Sequence, residues 1–194
     1  MKILLTRHGT TAGNLEKHYI GAGSDEPLYT RDLSGITVYP NVERVYTSGM
    51  LRTVQTAEIM YPNARQIPLP GLREMDFGIF EGKNWIELSS CGDYRAWVEG
   101  GCTGRCPGGE SRQEFVDRCV ETFKLLMERQ AGERSEEIHL VVHGGTIMAL
   151  LSTMAVPVRD YFSCETPCSG QWVCRLNGYH LEILETPEYK KEKL

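Results

Sequence analysis

The sequence predicts an α/β protein, a three-layer α/β/α sandwich around a mostly parallel sheet. Short apolar runs at residues 2–6, 42–47 and 138–142 have strand character. The last two lead directly into segments whose apolar residues have helical spacing. No Gly/Ser/Pro tract or long charge run divides the 194 residues, so we expect a single domain over 1–194.

The elements of the first half follow from local patterns. After the strand at 2–6, residues 11–19 can start a short helix. Gly and Pro punctuate residues 21–27 so densely that this stretch is predicted to be a loop. A second strand at 42–47 precedes a helix at about 49–60. The pattern places four apolar residues of this helix inward: Leu51, Val54, Ala57 and Ile59.

The second half begins with irregular structure. Residues 72–82 are predicted to be a turn region, 85–88 and 94–98 short helical pieces, and 100–109 a loop. The longest helix runs from 110 to about 129. The strand at 138–142 leads into a helix at 146–154. Asn177-Gly178 between two strand-like runs predicts a hairpin at an edge of the sheet, and the charged tail from Thr186 is expected to fray.

Composition argues against two classes of partner. The formal net charge is -5, whereas binding to nucleic-acid phosphates needs a clustered excess of Lys and Arg. The apolar stretches are far shorter than a membrane span, and the run before Arg7 is too short for a secretory signal. We therefore expect a cytoplasmic protein that binds neither nucleic acid nor membranes.

The seven cysteines are expected to be mostly reduced thiols, because an odd number without a signal segment does not indicate a disulfide framework. One alternative stays open. Cys102 and Cys106, and likewise Cys164 and Cys168, have the spacing of structural zinc ligands and lie in Gly- or Pro-rich segments. The prediction is that the protein holds no metal.

Two predicted strands are each followed by a histidine. Arg7 and His8 come directly after the first apolar run, and His143 and Gly144 directly after the run at 138–142. In an open α/β sheet, ligands bind outside the carboxyl ends of the strands. The sequence therefore predicts that both imidazoles lie in one active site.

Five segments resemble the histidine phosphatase superfamily, and they occur in that family's order over residues 7 to 145. They are RHGTTxxN at 7–14, TSGMLRTxQTA at 47–57, LREMDFGIFEG at 72–82, PGGES at 107–111 and VHGG at 142–145. The resemblance implies the phosphoglycerate mutase-like form of the predicted sandwich. Within the family, the short chain and the segment at 72–78 resemble the α-ribazole phosphatase branch.

The resemblance also implies a role for each polar residue of these motifs. His8 would be the nucleophile that forms a phosphohistidine, and His143 would donate to the transferring phosphoryl group. Glu74 would protonate the departing oxygen. Arg7 and Arg52 suit the phosphate oxygens, because a guanidinium stays charged and can bind them in bidentate fashion.

Asn14 and the backbone N–H of Gly144 complete the predicted substrate-binding set, the latter because it starts a helix. Glu74 is preferred as the acid over Asp76 and Glu81, because it precedes the Phe-Gly-x-x-Glu-Gly segment at the family's spacing. Neither a catalytic metal nor a cofactor is implied.

Two features depart from the family pattern. Position 10 is threonine, where the pattern usually has Glu or Gln. The stretch between Leu28 and Val42 is shorter than the helix usually found there, so a helix of one layer is truncated or absent. Its loss would expose the sheet, and we expect either a partner in a homodimer or a rearranged tyrosine-rich loop to cover it.

The predicted function is metal-independent hydrolysis of a small phosphorylated metabolite, for which the branch resemblance suggests α-ribazole 5′-phosphate. Two alternatives stay open: a phosphoglycerate mutase, and a non-catalytic protein that binds phosphorylated groups. A mutase carries a longer insertion with extra basic residues, whereas residues 82–109 contain only Lys83, Arg95 and Arg105. Glu74 argues against a pure binder, which needs no acid. Substrate specificity is expected from residues 19–29, 85–109 and 166–172.

Overall fold

A computed structural model describes residues 1–30, 36–132 and 136–187. The described strands are β1 (Lys2–Arg7), β2 (Arg44–Thr47), β3 (Arg65–Pro68), β4 (Glu137–Val142), β5 (Ala155–Val156), β6 (Gln171–Asn177) and β7 (His180–Glu185). The described α-helices are α1 (Ala12–Leu15), α2 (Leu51–Met60), α3 (Gly92–Glu99), α4 (Arg112–Gln130) and α5 (Gly144–Met154).

The strands form one sheet in the order β3-β2-β4-β1-β6-β7-β5. The four strands from β3 to β1 are parallel to one another, and β5 is parallel to β7. The pairings of β6 with β1 and with β7 are antiparallel. The predicted α/β class with a mostly parallel sheet is confirmed.

The two faces of the sheet are covered by different helices. On β4, Leu140 and Val142 belong to a large apolar cluster that includes residues of α4 and α5. Val141, between them, packs instead with Ala57 and Met60 of α2. Because successive side chains of a strand point to opposite faces, these clusters lie on either side of the sheet and form the outer layers of the sandwich.

Helix α2 buries a different set of residues from the predicted one. Leu51 is 38% exposed, and Val54 and Ile59 are only partly buried. The buried residues of α2 are Arg52, Thr53, Thr56, Ala57 and Met60. Ala57 is buried as predicted, but apolar periodicity selected the wrong neighbours for it, because most of the inward residues of this helix are polar.

Three further predictions need correction. The structure contains the short strand β3, which the sequence pattern does not predict, since Arg65 and Gln66 interrupt its apolar run. Residues 85–90 are turns rather than a helical piece. The hairpin of β6 and β7 forms around Asn177-Gly178, but it is not the edge, because the two-residue β5 lies outside β7. The predicted frayed tail lies largely at 188–194, outside the described residues.

No helix is formed in the described residues between Leu28 and Val42, and 31–35 of that stretch lie outside the described part. Tyr39 stacks on Tyr61 with ring centroids 5.1 Å apart and contacts the ring of His139. Its hydroxyl donates to Gln171 at 2.8 Å. A tyrosine-bearing loop thus covers this part of the sheet, while the homodimer stays a prediction.

Among the helices of the described ranges, none combines the length and the apolar character needed to cross a membrane.

Candidate active site

The carboxyl ends of β1, β4 and β2 bring the predicted residues together. β1 and β4 pair in parallel and end at the same level, so His8 and His143 follow them side by side with ring centroids 5.2 Å apart. β2 is parallel to β4 on its other side, which brings Arg52, near the start of α2, to the same edge. We call these three residues and Arg7 the phosphate end of the site.

His8 has one ring nitrogen without a proton. Its Nδ1 lies 2.6 Å from the carbonyl oxygen of Gly9. Because a carbonyl oxygen only accepts, Nδ1 carries the ring proton and Nε2 keeps its lone pair. Burial, and then the charges of Arg52 and Arg7, hold the pKa of His8 well below its usual value. The imidazole is therefore neutral, and its Nε2 is able to attack an electrophile.

His143 is held at both ring nitrogens. The Nε of Arg52 donates to Nδ1 at 3.2 Å, and Nε2 lies 2.8 Å from the hydroxyl oxygen of Ser48. A guanidinium cannot accept, so the proton is on Nε2, which donates to Ser48. The onward bonds agree, because Thr53 donates to the carbonyl of Met50 and leaves Ser48 to donate to Thr53.

Burial, and then the charge of Arg52, lower the pKa of His143 well below its usual value, so the ring is neutral. Its single N–H is directed at Ser48. The predicted donation from His143 to a phosphoryl group therefore requires a proton on Nδ1, in place of the hydrogen bond from Arg52.

The two arginines differ in how the protein holds them. Arg52 is fully buried and donates to carbonyl oxygens of residues 20, 21 and 24 at 2.7 to 3.4 Å. Arg7 donates from Nη1 to the carbonyl of Thr166 at 2.6 Å. Within the described residues, the buried Nε of Arg7 has no hydrogen-bond partner. Arg7 is therefore suited to bidentate contact with an anion, and Arg52 to holding a fixed positive charge.

Glu74 lies in residues 74–77, which belong to no helix or strand. Its carboxylate oxygens accept from the backbone N–H groups of Met75 and Gly145, both at 3.0 Å. Burial raises the pKa of Glu74, although those two hydrogen bonds and the charges of Arg52 and Arg7 oppose the rise. A carboxyl group with a raised pKa keeps its proton to a higher pH, as an acid catalyst requires.

Two glycines open α5 beside these groups. A Cβ at Gly145 would overlap Oε1 of Glu74, whereas a Cβ at Gly144 would lie 3.4 to 3.6 Å from the side chain of Arg7. The backbone N–H of Gly144 lies at the N-terminus of this helix of 11 residues, where exposed N–H groups and the helix dipole favour an anion.

Asn14 is placed differently from the other predicted residues. Its Oδ1 accepts from the N–H of Thr11 at 3.1 Å and closes a capping box at the start of α1. The side chain also lines the cavity described next, so its amide N–H groups are what a ligand can contact.

A cavity of about 300 Å³ adjoins the phosphate end, with Arg7, Glu74 and Gly144 in its wall. We call it the aromatic cavity, because five Phe, Tyr and Trp rings line it: Tyr19, Phe77, Trp97, Tyr161 and Phe162. The guanidinium of Arg112 lies 4.7 Å from the ring centroid of Tyr161 and 4.9 Å from that of Phe162. The cavity can therefore bind a flat apolar group next to a bound anion.

Two neutral histidines, two arginines and an acid thus lie together at the carboxyl ends of the strands. The model of the histidine phosphatase superfamily (branch 1) matches residues 3–172. The chain belongs to this superfamily. The chain is 33% identical to the probable phosphoglycerate mutase GpmB of Cronobacter sakazakii over 164 residues, which cover 79% of this chain and 74% of that protein.

Two solved structures extend the likeness. The α-ribazole phosphatase of Shigella flexneri superposes with a TM-score of 0.77 at 20% identity, over 97% of this chain and 96% of that one, which shows a shared fold. A phosphoglycerate mutase from Thermus thermophilus gives a TM-score of 0.69 at 27% identity, over 98% of this chain and 100% of that one. Both have the sandwich architecture found here.

The sequence analysis did not name several polar neighbours of the site. Thr56 accepts from the N–H of Gly9 at 2.9 Å, and Thr166 receives the bond from Arg7. Ser48 and Thr56 lie inside the segment at 47–57 that resembles the family. Their position near Arg52 in that segment could have predicted both as neighbours of the site. Thr166 lies in the segment at 166–172 where substrate contacts were expected, but its bond to Arg7 had no signal, because only the tertiary fold brings the two residues together.

The cavity wall was predicted only in part. The three expected segments contribute Tyr19, Trp97 and Thr166 among others. The wall also contains residues from outside them: Phe77, Arg112, Met148, Tyr161 and Phe162. Trp85, inside an expected segment, is 59% exposed and is not part of the wall.

The basic residues of 82–109 lie away from this cavity. Lys83 donates to the carbonyl of Ile79, and Arg105 bonds to the carbonyl of Gly109 and to Glu114. Within the described residues, Arg7 and Arg112 are the arginines that line the cavity, and no lysine does.

The alternative zinc site is not formed. All seven cysteines are free thiols. In the described ranges, no group of three His, Cys, Asp or Glu side chains is arranged to hold a metal ion. The four cysteines of that alternative are therefore not gathered as ligands: Cys102, Cys106, Cys164 and Cys168.

Proposed function

We propose that this protein is a phosphomonoester hydrolase that acts on a small phosphorylated metabolite through a phosphohistidine on His8, without a metal or cofactor. The observation that carries the proposal is the state of His8. Its unprotonated Nε2 belongs to a buried, neutral ring next to two guanidinium groups, those of Arg7 and Arg52. A nucleophile that is neutral beside fixed positive charge suits attack on a phosphate dianion.

The proposed reaction has two steps. In the first, the lone pair on Nε2 of His8 attacks phosphorus, the bond to the ester oxygen breaks, and Glu74 gives its proton to that oxygen. In the second, a water attacks the phosphohistidine, the carboxylate of Glu74 takes a proton from the water, and the P–N bond breaks. His8 and Glu74 return to their starting states, so no cofactor is consumed.

The aromatic cavity supports a substrate whose leaving group is flat and largely apolar. Its rings and Met148 offer stacking and apolar contact beside the bound phosphate. The 5′-phosphate of α-ribazole, with a fused aromatic base on its ribose, has this chemistry and is our proposed substrate. As part of the same proposal, the enzyme is cytoplasmic.

A phosphoglycerate mutase is the second candidate, favoured by the name of the Cronobacter relative. A mutase that binds a second phosphate or a carboxylate needs several positive charges at the leaving-group end. In the described residues, Arg112 is the one arginine there besides Arg7, and Glu165 also lines the wall. The distribution of charge therefore supports hydrolysis over mutase activity.

The test is phosphate release in EDTA from α-ribazole 5′-phosphate, 3-phosphoglycerate and p-nitrophenyl phosphate. We expect turnover by wild type and by His180→Ala, which removes an exposed histidine of β7. His8→Ala is expected to lower kcat by about 10⁴-fold or more. Activity that survives in His8→Ala would refute the mechanism. Conversion of 3-phosphoglycerate to its 2-isomer would identify a mutase, and binding without turnover a non-catalytic protein.

A further inference from the structure

Helix α4 carries an arginine that holds the backbone in front of Glu74. The Nη1 of Arg118 donates to the carbonyl oxygens of Gly71 and Arg73, at 3.0 and 3.1 Å. Its Nη2 donates to the carbonyl oxygen of Glu74 itself, at 3.3 Å. One guanidinium therefore joins three backbone carbonyls of a segment that belongs to no strand or α-helix.

Glu110 holds the other side of the same segment. Its two carboxylate oxygens accept from Nε and Nη2 of Arg118, at 2.9 and 2.8 Å. Oε2 also accepts from the backbone N–H of Asp76 at 3.0 Å, and the N–H of Glu110 donates to the carbonyl of Asp76 at 2.9 Å. The backbone is thus fixed both before and after Glu74.

Arg118 and Glu110 form an ion pair that is partly buried. The side chains of Arg118 and Glu110 are 28% and 23% exposed. Burial disfavours the charge on Arg118, but the hydrogen bonds and the charge of Glu110 outweigh it, and the pKa of Arg118 stands above its usual value. Lysine could not replace this arginine, because one ammonium group cannot reach three carbonyls and a carboxylate in a planar fork.

We propose that Arg118 and Glu110 are positioning residues that place the carboxyl of Glu74 at the leaving oxygen. The inference rests on the proposed function, in which Glu74 is the acid. Among the described residues, the wall of the aromatic cavity contains neither Arg118 nor Glu110, so they act through Glu74 rather than on the substrate. Misplacement of a catalytic group by about 1 Å is enough to slow a reaction about 100-fold.

The dependence on the leaving group distinguishes positioning from simple packing. An alkoxide is a strong base and must be protonated as it departs, whereas p-nitrophenolate leaves without an acid. The value of kcat/KM depends only on the steps up to and including departure of the alcohol. It therefore reports this step and not the later hydrolysis of phosphohistidine. A displaced Glu74 therefore lowers kcat/KM for alkyl phosphates much more than for p-nitrophenyl phosphate.

The experiment compares wild type with Arg118→Met, Arg118→Lys and Glu110→Gln, and with Glu74→Gln as the reference for a lost acid. Arg129→Met is the matched control, because Arg129 is an exposed arginine of the same helix. For Arg118→Met we expect kcat/KM to fall about 10- to 100-fold with an alkyl phosphate and less than about threefold with p-nitrophenyl phosphate. Arg129→Met should match wild type with both substrates.

An equal loss with both substrates, or no loss with either, would overturn the positioning role. Should Arg118→Met fail to fold, Arg118→Lys and Glu110→Gln carry the same comparison with a smaller change in volume.

A second readout does not depend on turnover: the pKa of Glu74, followed by ¹³C NMR of its carboxyl carbon. Release of the segment into water would lower this pKa towards that of an ordinary glutamate. Loss of the positive charge of Arg118 without release of the segment would instead raise the pKa of Glu74. A fall in Arg118→Met supports positioning, and a rise or no change contradicts it. If wild type releases no phosphate from any ester, the proposed function fails, and the NMR result still decides the role of Arg118.

Discussion

The two ends of the site are built in contrasting ways. At the phosphate end, buried polar groups are fixed by the protein itself: Arg52 by four hydrogen bonds, and His143 at both of its nitrogens. The aromatic cavity is instead walled by rings, and Phe162 at its wall is 56% exposed. The first end suits a group that every substrate shares, and the second a group that differs between substrates.

This contrast predicts that damage to the phosphate end affects all substrates equally. We expect Arg52→Lys to lower kcat/KM by about 10²- to 10³-fold, because lysine lacks the Nε that bonds to His143 and the fork that binds the loop at 20–24. The measurement is kcat/KM for each ester of a panel. Arg175→Lys, in an exposed ion pair with Glu182, is the control and should match wild type. A loss that varied widely between esters would break the distinction between the two ends.

The dependence on pH tests the same end by a different route. The pKa of His8 is lowered, so this proposed nucleophile is already unprotonated at weakly acidic pH. The pKa of Glu74 is raised, so the acid keeps its proton to a higher pH than usual and loses it as the pH rises further. For an alkyl phosphate, kcat/KM should fall about tenfold per pH unit above that pKa. A rate that increased through this range would contradict the acid role.

Damage to the aromatic cavity should be smaller and selective. Phe162→Ala removes an exposed ring, so we expect KM to rise about three- to tenfold for an ester with an aromatic leaving group and to stay unchanged for a small alkyl phosphate. Trp85→Ala removes another exposed ring that lies outside the cavity wall, and it should leave both KM values as in wild type. An equal rise in KM with both substrates would contradict the contrast between the two ends.

The two ends also differed in how far the sequence predicted them. His8 and His143 each follow an apolar strand directly, so local pattern alone placed them at one edge of the sheet. The structure brings Arg52 and Glu74 to the same place. For α2, however, apolar spacing selected Leu51, because it could not anticipate a buried face that carries an arginine and two threonines beside Ala57 and Met60.

Much of the cavity wall lacks such a local signal. Phe77 lies in a turn, Met148 in α5 and Tyr161 in a loop beyond it, and only the tertiary fold brings them together. The same holds for Arg118, whose three carbonyl partners lie more than 40 positions earlier in the chain. Contacts over such separations leave no periodicity to detect.

The adjacent glycines of α5 have a consequence for the tolerance of this site to substitution. At Gly145, the space that a side chain would fill is already occupied by the carboxylate of Glu74. At Gly144, that space is open to ordinary van der Waals contact with Arg7. A designer who transfers this site to another scaffold must therefore keep a glycine at the second position. The first position has room for the methyl group of an alanine.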